Sequence, residues 1–136
     1  MENSVVMFNA NDEENVSFCS YKAETPEEKA KLFEIMNNPE KRLSDCINQT
    51  ILVKDLFAEL VDCTNEETGE VTKAPRIVLI DKNGIGYQCV SAGVFGALKK
   101  LMVVYGVPTW ESPIPLKIKQ IKNGKKSLLT FSVEKQ

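Results

Sequence analysis

Between Ile114 and Val133 the chain alternates with a period of two. Ile114, Leu116 and Ile118 interleave with Lys117 and Lys119, and Leu129, Phe131 and Val133 repeat the rhythm after an Asn123-Gly124 pair. Successive side chains on a strand point to opposite faces, so the pattern predicts a hairpin with one apolar and one basic face. A two-residue turn centred on Asn123-Gly124 sets Ile118 opposite Leu129, Leu116 opposite Phe131 and Ile114 opposite Val133, all apolar pairs. The other face then carries Lys117 opposite Thr130, Lys119 opposite Leu128 and Ile121 opposite Lys126, with Lys122 and Lys125 flanking the turn. A slip of one residue would drive lysines into the core, so the register is strongly specified.

The preceding segments are read the same way. "RIVLI" (76–80) and "GYQCVS" (86–91) flank an Asn-Gly turn and predict a second hairpin. From Asn48 to Asp62, "NQTILVKDLFAELVD" reads as a long strand whose apolar residues switch parity between Val53 and Leu56, as in a bulged strand that bends. "TNEETGEVTKAP" breaks the pattern as a polar loop. The period changes in "SAGVFGALKKLMVVYG": Ser91 caps a helix with Val94, Leu98, Leu101 and Tyr105 on one face, stopped by Gly106 and Pro108. Gly93 and Gly96 weaken that helix unless something packs closely on it. Upstream, Thr25, Pro26 and Glu28 form a capping signature for a helix over 25–38, with Ala30, Phe33 and Met36 or Ile35 as its apolar stripe.

The resulting order, strand, hairpin, helix, hairpin, is that of the oligonucleotide/oligosaccharide-binding (OB) fold. The expectation is a mainly β protein: a five-stranded OB barrel with a helix between strands three and four and an extra N-terminal helix. An open α+β sandwich is the alternative. The predicted organisation is an acidic arm over 1–24 and one domain over 25–136.

Composition excludes more than it specifies. No histidine occurs, which removes the commonest general base and the usual nucleophile pairs. The four cysteines, Cys19, Cys46, Cys63 and Cys89, show no CxxC spacing and read as reduced thiols without a metal. No phosphate-binding glycine motif appears. The expectation is a non-enzyme without cofactors. Apolar runs fall well short of the roughly 18 residues of a membrane span, and the acidic start "MENSVVMFNANDEEN" is unlike a secretory signal, so a cytoplasmic protein without membrane contact is expected. The net charge of -2 conceals an imbalance: residues 1–70 hold 16 acidic against 6 basic side chains, and residues 71–136 hold 3 against 11. An anionic partner belongs to the second half.

In the OB fold the loop joining strands four and five meets the ligand, and here that loop is "KNGKK". Single strands need cations along the phosphates and rings under the bases. Lys117, Lys119, Lys122, Lys125 and Lys126 supply the first; Tyr87, Trp110 and Phe57 are candidates for the second. Arg76 suits either role, and Lys73 is the one favourable charge in a first loop otherwise dominated by Glu66, Glu67 and Glu70. Structural alternatives stand beside these: Lys117 and Lys119 as edge protection, Trp110 as a plug of the barrel end, Phe57 as core and Tyr87 on either face.

The succession "NPEKRLSDCINQTI", "PRIVLIDKNGIGYQCVSAGVFGALKKL", "YGVPTWESPIPLKIKQI" and "GKKSLLTF", over residues 38–133, resembles the small single-stranded DNA-binding proteins of phages and mobile elements of Gram-positive bacteria. The resemblance implies coating of single strands, without base specificity, during replication, recombination or conjugative transfer. Duplex DNA or RNA are weaker partners on this reading, and homo-oligomers and replication or transfer proteins are further candidates. A protein-interaction module, or a duplex DNA or RNA binder, is the alternative.

Overall fold

The computed structural model describes residues 17–135. It shows a mainly β protein in which one curled, mixed sheet forms a half-barrel accompanied by two helices. Along the chain run β1 (Ser17–Cys19), α1 (Pro26–Asn37), β2 (Lys41–Arg42), a 3-10 helix (Leu43–Cys46), β3 (Thr50–Thr64), β4 (Val71–Asp81), β5 (Gly86–Val90), α2 (Ala92–Tyr105), β6 (Ile114–Asn123) and β7 (Lys126–Val133). The main path is β2-β5-β4-β3-β6-β7. β2 runs parallel to β5, and the remaining pairs are antiparallel. Residues 17–19, within the stretch expected as an acidic arm, form β1 on β3; residues 1–16 of that arm lie outside the described residues.

β3 organises the sheet. Its first part pairs with β6 through Thr50–Val53, its later part pairs with β1 through Phe57–Glu59, and its other edge carries β4. The register against β4 shifts between Val53 and Asp55, which is where the apolar parity switches. Leu56, Ala58, Ile77 and Leu79 consequently face the main core with Leu116 and Ile118, while Phe57, Val78 and Ile80 face α1. β4 begins at Val71 rather than Arg76, so the expected polar loop shrinks to 65–70. Asn65 closes that loop by accepting the N–H groups of Glu67 and Thr68, and Gly69 takes φ 75°. Pro75 obscured the strand in the sequence. It is tolerated because the β4–β5 ladder ends at Arg76 and Val90, and beyond it only the Pro75 carbonyl is used, accepting the Ser91 N–H at 3.1 Å.

The β6–β7 register also differs from expectation. Ile118 faces Phe131, Leu116 faces Val133, Ile121 faces Leu128 and Asn123 faces Lys126, so the two central turn residues are Gly124 and Lys125. Gly124, with φ 68°, occupies the first central position, where a II′ turn requires glycine. Lys119 therefore lies opposite Thr130 and Lys117 opposite Ser132. A displacement of two residues leaves every side chain on its original face, which is why the apolar and basic sides were read correctly from the wrong pairing.

α1 starts with the complete capping box. Thr25 Oγ1 accepts the Glu28 N–H at 3.1 Å, and the Glu28 carboxylate accepts the N–H groups of Glu24 and Thr25 at 2.9 and 3.0 Å. Those two backbone bonds hold the Glu28 carboxyl below its ordinary range. Thr25→Ala is expected to cost about 1 kcal/mol in urea unfolding. A carboxyl lowered in the folded state stabilises above its unfolded pKa, and that contribution is lost as pH falls through the folded value. The urea midpoints of the parent and Glu28→Gln should therefore converge between about pH 6 and about pH 3.

Of the expected stripe of α1, the Ile35 and Met36 end packs and the Ala30 and Phe33 end does not. Phe33 is 61% exposed and Ala30 is exposed, whereas Ile35 is buried with Phe57, Val78 and Ile80, and Met36 packs beside them. Two contacts set this rotation. A Cβ on Gly86 would come within 3.0 Å of both Ile35 and Val78, so the helix approaches the sheet at a glycine. The Arg76 guanidinium then donates to the Met36 carbonyl at 2.8 Å.

α2 lies in the concavity with Val94, Leu98 and Leu101 buried; Tyr105, expected on the same face, is 48% exposed at its end. Its N-terminus presses on β7: a Cβ on Gly93 would lie 2.6 Å from the Leu129 carbonyl oxygen, while one on Gly96 would meet nothing within 4 Å. Only the first glycine is required by packing. Among the described residues β5 and β7 do not pair, and the seam between them is a groove of about 600 Å³ bordered by Arg42, Gln88, Ser91, Gly93, Ser127 and Leu129.

Candidate nucleic-acid interface

Among the described residues two hairpin segments pair only within themselves, and they carry opposite charge. The ladder flanking β6 ends where Ile118 exchanges backbone bonds with Asn48 and Gln49, at 2.7 and 3.0 Å. Past that point β6 and β7 pair only with each other among the described residues. Lys119, Lys122, Lys125 and Lys126 are exposed on this arm, and none makes an ion pair among the described residues. Lys117 stands at its base, 3.9 Å from the Glu134 carboxylate. Ile121 and Leu128, a cross-strand pair, are 53% and 49% exposed between the lysines. Four ammonium groups on one short hairpin repel each other and favour an anion that runs along it.

The second arm extends β3 and β4 beyond Glu59 and Arg76. Lys73 lies on it, 2.7 Å from Asp62, and its tip carries Glu66, Glu67 and Glu70. That tip repels phosphate.

The remaining candidates lie apart from the basic arm. Arg76 is built into the scaffold: besides Met36 it binds Glu59 at 3.1 Å and Gln88 Oε1 at 3.3 Å. Tyr87 is buried in the main core and donates its hydroxyl to Asp81 Oδ2 at 3.0 Å; burial first, then that contact, pushes its pKa up to about 12. Trp110 is buried in the same core, with its Nε1–H donated to the Gly106 carbonyl at 3.0 Å. Phe57 is buried beneath α1. The structure thus gathers the hairpin lysines and leaves the three rings away from solvent. Burial also raises the thiol pKa of Cys46 and Cys89, the latter to about 12, which keeps these two thiols protonated and poorly nucleophilic. No group of metal-ligating side chains occurs among the described residues, and no helix among them is long and apolar enough to cross a membrane.

Sequence reasoning missed a second basic group. Lys22, Lys31, Lys54 and Lys82 border one groove on the α1 side of the sheet. They are scattered over 60 positions, so no local spacing marks them; only the folded strand and turn bring them together.

A protein-family model described as Phage single-stranded DNA-binding protein matches residues 2–134. Comparison with curated proteins and with solved structures yields no match.

Proposed function

The chain belongs to the phage single-stranded DNA-binding protein family, and we propose that it coats single strands in phage replication without base specificity, through the phosphate backbone. The observation that carries the finer reading is the β6–β7 arm, whose four lysines have no ion-pair partner among the described residues. Phosphate contacts hold a strand without reading its sequence, because every nucleotide presents the same charge. The order of β3, β4, β5, α2, β6 and β7 supports an OB-type barrel left open at the β5–β7 seam, with the basic arm as its last hairpin. The exposed hydrocarbon of Ile121 and Leu128 lies where bases of a strand held by those lysines would rest.

Competition at fixed salt tests this reading. Oligo-dT, a mixed-sequence single strand, duplex DNA and RNA compete for the labelled oligo-dT complex. Both single-stranded DNAs should compete equally and better than the duplex, with log K falling against log salt by about 0.7 per neutralised phosphate. Equal or better competition by the duplex would contradict single-strand coating and favour a general polyanion binder.

A further inference from the structure

Four lysines from separate parts of the chain converge on a groove of about 360 Å³ far from the basic arm in sequence. Lys22 belongs to the connection between β1 and α1, Lys31 to α1, Lys54 to β3 at its bulge and Lys82 to the β4–β5 turn. Asp55 and Asp81 also border this groove, both buried and both occupied by other donors. Asp55 accepts from Ser20 Oγ at 2.8 Å and from Thr109 Oγ1. Asp81 accepts from the N–H groups of Asn83 and Ile85, at 2.8 and 3.0 Å, and from the Tyr87 hydroxyl at 3.0 Å. None of the four lysines makes an ion pair among the described residues. Lys31 is held against the turn, since a Cβ on Gly84 would come within 2.7 Å of its Nζ.

Among the described residues, four ammoniums against two carboxylates leave a surplus of positive charge, assembled from segments that could have pointed these side chains apart. Like charges brought into one concavity favour a bound anion. We propose that this groove is a second contact site for the phosphate backbone of the single strand. The proposal rests on the single-strand reading above and adds to it a site on the α1 side of the sheet. On this account Lys22, Lys31, Lys54 and Lys82 each neutralise backbone charge, and the footprint of one protein exceeds what the basic arm alone covers.

The test uses K31E/K82E in the full chain, because both side chains are exposed and neither makes an ion pair among the described residues. Oligo-dT affinity is measured across a salt series beside the parent and K100E/K135E, which changes the net charge equally at other exposed positions. K31E/K82E should bind about 25-fold more weakly near 0.1 M salt, with a slope shallower by about 1.4, while K100E/K135E keeps the parent slope. Parental affinity and slope in folded K31E/K82E would overturn the proposal, as would an equal loss in K100E/K135E. A K122E/K125E/K126E variant in the same series separates the two sites: loss there with K31E/K82E silent removes the groove and keeps the hairpin reading, and the reverse keeps the groove and removes the hairpin.

Discussion

K122E/K125E/K126E is expected to bind oligo-dT about a hundredfold more weakly than the parent at near-physiological salt, with a salt slope shallower by about 2. Each neutralised phosphate on a single strand contributes about 0.7 to that slope, so one contact is worth about fivefold near 0.1 M salt and three contacts about a hundredfold. Reversing the charge adds repulsion to the lost attraction. All three side chains are exposed and none makes an ion pair among the described residues, so urea stability should stay within about 0.5 kcal/mol of the parent. Fluorescence anisotropy over a salt series checks the binding, and a urea titration checks the fold. Lys117→Glu alone should do less, because its charge already lies 3.9 Å from Glu134.

Gly93→Val is expected to destabilise the protein by about 3 kcal/mol in urea unfolding. The added Cβ would be placed 2.6 Å from the Leu129 carbonyl oxygen, and this obstacle is backbone, which cannot rotate away as a side chain does. Either α2 withdraws from β7 or the hairpin moves, and both changes open the core around Val94 and Leu98. Gly96→Ala provides the contrast, since its Cβ would meet nothing within 4 Å; there the better helix propensity of alanine should raise stability by up to about 1 kcal/mol. A loss at Gly93 paired with a gain at Gly96 would locate the close approach at one turn of the helix. Equal responses would contradict it.

The local elements were legible because their signals depend on near neighbours. The capping box of Thr25 and Glu28, the serine cap and glycine stop of α2, and the parity switch that became the Val53–Asp55 register shift all stand in the structure as read. Errors arose where a distant contact decides. The expected stripe joined Ala30 and Phe33 to Met36 or Ile35, but Gly86 and Arg76, some 50 residues away, turn α1 so that only Ile35 and Met36 pack. Pro75 hid the first half of β4, since its tolerance depends on where β5 ends. The hairpin faces survived a wrong register because parity, unlike pairing, is preserved over two residues. Of the two basic groups, the lysines around the turn were visible in sequence as a cluster, whereas Lys22, Lys31, Lys54 and Lys82 were not. Which face the aromatic residues take was not legible: Tyr87 and Trp110 carry polar atoms, yet both atoms find partners inside the fold.

Contact between the basic arm and the strand can be mapped by lysine acylation with and without saturating oligo-dT, read by peptide mass spectrometry. Lys119, Lys122, Lys125 and Lys126 should lose most of their labelling when the strand is bound, while Lys29 and Lys135 keep theirs. Unchanged labelling of the four hairpin lysines in a saturated complex would show that the strand lies elsewhere and would contradict the account.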